Sequence, residues 1–200
     1  CFCPSSESGH DCSYDVLDYD VEKAKSLLKE AGITTINLLC SDHGWFSAVR
    51  PIIRENLEAL GVSVNYDEKK SSDVYSFVDG DQGAWDVVIA PGDPSVFGND
   101  ADLLLRWWYA GDTWTDQRMH WKGSEAYTAV QAKLDEAVKL EGEAQISTWQ
   151  ELFDLLSEQV PLYPIFHRKT PTAYNSQTLV GFQPIALTGL SFVDIGSTAA

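Results

Sequence analysis

Positive charge is scarce in this chain: 14 Lys and Arg stand against 30 Asp and Glu in 200 residues, a formal net charge of −16. That balance argues against a nucleic-acid partner, whose phosphates need a basic face. Two readings of the acidity stand open, a cationic ligand drawn to it and an acidic surface that keeps a secreted protein soluble. Long apolar runs are also missing, so no stretch approaches the roughly 20 residues that span a bilayer. No signal peptide is present, which means little in a mature form or an excised piece. Enzyme signatures are absent too: there is no nucleophile elbow, no His-Glu-x-x-His and no glycine-rich phosphate loop. Thirty carboxylates always supply some pair for a glycosidase, so such a pair carries no information. His10, His43, His120 and His167 are isolated, none spaced from another as a helical metal pair, and each reads as a surface or packing histidine. The expectation is therefore a binding protein with no enzymatic activity, no catalytic residues, no metal and no cofactor.

Four cysteines are present, Cys1, Cys3, Cys12 and Cys40, and they allow three full pairings. Three lie in the first twelve residues, a polar segment with no core-forming pattern, where a disulfide would tie the chain down. A zinc site from Cys1, Cys3, His10 and Cys12 is a sharper reading, although the spacing matches no common zinc module. Cys1 as a lipidated first residue is a third. Residues 1–17 read as a cysteine-containing lead and 18–200 as a single α/β lobe, long enough to bury a sizeable core.

Along the chain, Tyr19 to Gly32 is a well-signalled helix: Asp20 caps it, Glu22 suits its positive end and Gly32 sits at the left-handed exit. Val21, Ala24, Leu27, Leu28 and Ala31 fall on one face, expected to be buried. Thr34 to Cys40 reads as a strand that ends in the turn Ser41-Asp42-His43-Gly44. From Trp45 to Leu60 the apolar spacing is helical, with Pro51 starting or kinking the regular part. Val62 to Tyr66 alternates as a strand, and Ser72 to Val78 fits a short helix. Trp85 to Ala90 is an apolar run rich in β-branched residues, expected to be a strand buried on both faces, and it stops at Pro91-Gly92-Asp93-Pro94. Helix, strand, helix, strand, helix, strand is the order of parallel crossovers. Beyond it, Ala101 to Tyr109 fits one or two helical turns and Gly111 to Lys122 reads as loop. Helices over Ser124–Glu141 and Glu143–Gln159, broken at Gly142, form a hairpin. Val160 to Phe166 is extended and edge-like because its prolines donate no ladder bonds. The last thirty residues are turn-rich.

Three stretches in this order resemble the second lobe of a known family. They are Tyr19 to Gly32, Ile52 to Val64, and Trp85-Asp-Val-Val-Ile-Ala with the following Gly92-Asp93-Pro94; Tyr127 to Leu140 and Trp149 to Phe166 continue the match. The family is the extracellular solute-binding proteins of ABC importers, in the dipeptide and oligopeptide class called family 5. The resemblance spans about Asp18 to Gly181. It implies a periplasmic-binding-protein type II lobe, a mixed sheet with flanking helices in three layers. It also implies capture of a peptide or similar small solute in an interlobe cleft by hinge closure, and delivery to an ABC permease. The place would be extracellular, periplasmic or cell-surface, with the membrane touched only through a lipid anchor. Family members are much longer, so the chain looks like one lobe. A cell-surface structural or adhesion module without a small-solute ligand is the competing reading; it would show an exposed apolar patch.

Ligands gather at the carboxyl ends of strands in open α/β sheets, which selects the candidate site residues. Peptide-binding members of the family place an aspartate in the turn after this strand, and Asp93 is the acid here. It either holds the solute's free amine or bonds its own backbone as a turn-former. Trp45, Trp108, Tyr109 and Trp114 are the candidates for stacking or cleft walls, with one of the adjacent Trp107 and Trp108 expected in the core. Trp45 stands close to a helix start, where free amides meet an anionic group. Arg118 reads either as a bidentate carboxylate partner or as a solvated surface charge, and Trp121 as a pin for the loop.

Overall fold

Local capping fixes where the first helix begins. Asp20 accepts from the Lys23 backbone N–H at 2.9 Å and starts α1, Val21–Glu30, and Gly32 closes it at φ +68°, a backbone region that only glycine enters without strain. The computed structural model describes residues 19–80, 83, 85–92, 100–166, 171–183 and 191–198. The expected apolar face of α1 is only half-buried, with Leu27 exposed. The lead segment, with its possible disulfide, zinc site and lipid anchor, lies outside the described residues, as does Asp93.

The described residues form two compact units. The first takes residues from 19–92 and 111–122, and the second from 100–110 and 123–198. In the first unit, β1 (Thr35–Ser41), β2 (Ser63–Lys69) and β3 (Val87–Ile89) make a parallel sheet in the order β2-β1-β3. The order corrects one expectation. The Trp85–Ala90 run is not the doubly buried centre: β3 covers three residues at an edge of the described sheet, and Val87 is exposed. The centre is β1, whose Ile36, Leu38, Leu39, Cys40 and Ser41 are all buried.

Period-two alternation sends β1 side chains to opposite faces. Leu38, Cys40 and Ile89 pack with Phe46 on one face, joined by Ile53 and Leu57 of α2 (Val49–Glu58). Leu39 packs on the other with Val74 and Val78 of α3 (Ser71–Asp79), and with Trp85 and Val88. A helix on each face gives the three-layer α/β arrangement, and each buried Leu or Val contributes roughly 1.5–3 kcal/mol. Pro51 falls in the first turn of α2, where the missing N–H costs no helical bond. Register is pinned by a polar row across the sheet: the Asn65 amide donates to Asn37 Oδ1 at 2.9 Å, and Asn37 N and Nδ2 donate to Asp86 Oδ2 at 2.7 and 2.8 Å. Cys40 is a buried free thiol, so none of the three full cysteine pairings forms. Burial pushes its thiol up to about 11, partly offset by the Tyr66 hydroxyl and Arg50.

The second unit is helical. α4 (Ala101–Tyr109) is capped by Asp100, α5 (Glu125–Ala137) by Ser124, and α6 runs over Gly142–Gln159. Val130 and Leu134 of α5 and Trp149, Leu152, Phe153 and Leu156 of α6 are buried. The Gln145 amide donates to the Ala137 and Leu140 carbonyls at 3.0 and 2.8 Å, closing the open end of α5. Arg106 ties α4 to α5 by donating to Asp102 and Asp135. Two residue pairs, β4 (Leu179–Val180) and β5 (Gly196–Ser197), join antiparallel. Among the described residues no helix is long and apolar enough to cross a membrane, and no cluster of three or more His, Cys, Asp or Glu is placed to hold a metal ion.

Candidate functional site

The carboxyl edge of the parallel sheet gathers the polar and aromatic groups of the first unit. β1 ends at Ser41, and the chain turns through Asp42 and His43 into a short 3-10 turn, Gly44–Phe46. Ser41 is fully buried, and its Oγ lies 2.8 Å from His43 Nδ1 and 2.8 Å from Ser71 Oγ at the start of α3. Ser71 Oγ also contacts His43 Nδ1. The Asp42 carboxylate accepts from the Ser71 N–H at 2.9 Å and its hydroxyl at 3.0 Å. These two bonds from Ser71 hold the Asp42 carboxyl below the usual carboxylate range, and His43 adds to the effect. Arg50 donates to the Ser41 carbonyl at 2.7 Å, steadying the turn from the side of α2. Trp45 is 38% exposed and lies against the imidazole of His43, with ring centroids 4.5 Å apart.

A second group stands on the same unit. Residues 113–118, expected as loop, form one turn of π-helix, Thr113–Arg118. The buried Thr115 carbonyl accepts from the N–H groups of Trp121 and Lys122 at 2.7 and 2.9 Å, which holds the segment closed. Arg118 grips Asp79 at the end of α3 with both arms of its guanidinium, Nε–Oδ1 2.6 Å and Nη2–Oδ2 2.9 Å. Its Cζ lies 4.4 Å from the Tyr75 ring centre and 4.3 Å from that of Trp114, two rings that meet edge to face. The Tyr75 hydroxyl donates to the Pro91 carbonyl after β3, and burial raises the pKa of that phenol. Of the two readings of Arg118, the structure takes the bidentate one, with a protein carboxylate as the partner.

The candidate residues fall in different places. Trp45 is on the edge of the sheet beside His43, and Trp114 is half-buried against Arg118. Trp108 and Tyr109 belong to α4 in the other unit and are buried, 6% and 2% exposed. The exposed ring of the tryptophan pair is Trp107, at 56%. Residues 41, 43 and 71 were not singled out from sequence as a group. The available signal was a Ser-Asp-His run at a strand end, but its partner serine lies 30 residues away.

No family model and no curated protein matches the chain. Solved structures do. An ABC transporter substrate-binding protein of Listeria monocytogenes superposes with a TM-score of 0.66 at 11% identity, covering 80% of this chain and 32% of that one. A dipeptide-binding protein of a Pseudoalteromonas species, in complex with Met-Leu, gives 0.64 at 16% identity, covering 82% and 33%. NikA of Staphylococcus aureus, in complex with Ni(L-His)2, gives 0.58 at 16% identity, covering 71% and 30%. The chain spans about a third of the length of these proteins. None of the three is named as an enzyme. A parallel sheet with helices on both faces, matched over most of the chain by such proteins, has the periplasmic-binding-protein type II fold.

Proposed function

We propose that the chain is a lobe-sized part of a solute-binding receptor of an ABC importer, which captures a peptide or similar small solute without covalent chemistry and hands it to the permease. The observation that carries this reading is the superposition over about 80% of the chain on substrate-binding proteins, one of them holding a dipeptide. The carboxyl edge of the sheet supports it, since open α/β sheets bind ligands there. Trp45 offers an exposed aromatic face at that edge, suited to a peptide plane or a cation. Asp93 follows two residues after Pro91 in sequence and is the proposed anchor for a free amine. Trp114 forms a wall whose inner side is already taken by Arg118. Trp108 and Tyr109, being buried, enter the proposal as supports rather than as stacking surfaces. The place of action is extracellular, periplasmic or at the cell surface.

The test is a titration of the ¹⁵N-labelled chain with short peptides, oligosaccharides and Ni(L-His)2, followed by amide shifts. A single lobe lacks the opposite wall of a cleft, so dissociation constants of millimolar order are expected. Shifts for peptides centred on 41–45 support the reading. Loss of the peptide-induced shifts on Asp93→Ala marks the amine anchor, and silence across the panel refutes the function.

A further inference from the structure

We propose that His43 is a solute-contacting residue that carries its proton on Nδ1 and presents the Nε2 lone pair to a hydrogen-bond donor, an ammonium or amide N–H, with Trp45 as the adjoining wall. The inference rests on the solute-binding reading above and names a residue and a chemistry within it.

The argument is a count of protons. Ser41 Oγ, Ser71 Oγ and His43 Nδ1 are in mutual contact, three close approaches among three atoms, and Ser71 Oγ makes a fourth to the Asp42 carboxylate. A carboxylate only accepts, and each serine has one hydroxyl proton. Two hydroxyl protons cover two of the four approaches. With a bare Nδ1, two contacts would set lone pair against lone pair. A proton on Nδ1 resolves the set: Nδ1–H donates to Ser71 Oγ and shares with Ser41 Oγ, the Ser71 hydroxyl donates to Asp42, and the Ser41 hydroxyl donates to Ser71. In a neutral imidazole the other nitrogen is then an acceptor.

Nε2 has no hydrogen-bond partner among the described residues, while Nδ1 of the same ring meets both serines. The relay through Ser71 places the Asp42 carboxylate one hydroxyl away from Nδ1–H. Three contacts lock the ring: Nδ1 to the two serines, the Trp45 ring on its face, and the Phe46 ring edge-on at 6.4 Å. A fixed imidazole at a strand end, with an exposed indole beside it, provides direction and an aromatic surface together. A packing histidine would show neither the unmet Nε2 nor the half-exposed neighbour.

The experiment has two parts on the 200-residue chain. Long-range ¹H–¹⁵N spectra of the imidazole rings at pH 8, without solute, are expected to show His43 in the Nδ1–H form; the Nε2–H form overturns the proposal. The peptide titration is then repeated with His43→Phe, which keeps the ring and loses the acceptor, and with His43→Gln, whose amide oxygen restores one. Affinity is expected to fall about tenfold in the first and to stay within about threefold in the second. Amide spectra of both variants establish that they fold. If peptides bind wild type and His43→Phe alike, the inference falls while the solute-binding reading stands. If nothing in the panel binds wild type, that reading falls and takes this one with it.

Discussion

Replacing Arg118 tests how the first unit is held together. Its guanidinium makes two bonds to Asp79 and contacts two aromatic rings, and the Arg118 and Asp79 side chains are 16% and 29% exposed. An exposed ion pair contributes roughly 0–1 kcal/mol, whereas breaking a fully buried one costs roughly 3–5 because a charge is left unpaired. The geometry here lies midway between these limits, about 2 kcal/mol, and the two ring contacts add about 1. Arg118→Ala is thus expected to destabilise the unit by about 3 kcal/mol. Arg118→Lys keeps the charge but loses the planar fork, so it recovers no more than about half of that. Urea denaturation followed by far-UV circular dichroism measures the total. Hydrogen exchange at the α3 amides shows whether the loss falls on that helix. A change below about 0.5 kcal/mol for Arg118→Ala, or full recovery with Lys, would refute the reasoning.

Two further outcomes follow from titrating groups. Cys40 is buried and its pKa is raised to about 11 from 9.0, so at pH 8 its thiolate fraction is about a hundredfold below that of an exposed thiol. Peptide-resolved mass spectrometry is expected to find Cys40 unalkylated by iodoacetamide in the native chain and fully alkylated in 8 M urea; native alkylation would contradict the burial. Because the folded pKa is the higher one, the thiol's contribution to stability is complete below pH 9 and is lost as pH rises toward 11. Asp42 behaves oppositely. Ser71 lowers its folded pKa below 3.8, so its contribution is present above that value and is lost as pH falls through the folded one. Urea midpoints from pH 6 to pH 2 should show an acid-side loss that is smaller in Asp42→Asn, and equal slopes would dismiss the Ser71 bonds as a source of stability.

Elements whose determinants are local were legible before the fold was known. Asp20 and Ser124 each cap the helix they precede, because a cap acts within three residues; the Asp100 cap of α4 was not picked out. What failed was anything set at a distance. The apolar run at 85–90 signalled double burial, yet sheet order is decided by which strands pair, and β1 took the centre. Arg118 stayed ambiguous because its carboxylate is 39 residues away. The 113–118 turn was hidden because backbone bonds converging on the Gly111 and Thr115 carbonyls, not side-chain periodicity, hold it. Trp107 and Trp108 were separable only in part: the sequence says that neighbours on a helix diverge, and the phase set by the Asp100 cap decides which one is buried. The His43 cluster needed the parallel pairing of β1 and β2, since the register Ser41↔Lys69 brings Ser71 to the end of β1.

The first unit is discontinuous in sequence: residues up to 92 are joined by 111–122. On a ribosome this imposes an order. Sheet and α3 emerge first, while Arg118 follows Asp79 by 39 residues. At the usual ~5–20 residues per second, that is a delay of roughly 2–8 s. Throughout that interval Tyr75 lacks the cation and the indole that later cover it. A chaperone at the ribosome therefore meets the nascent unit unfinished, with an aromatic side chain still available to hold.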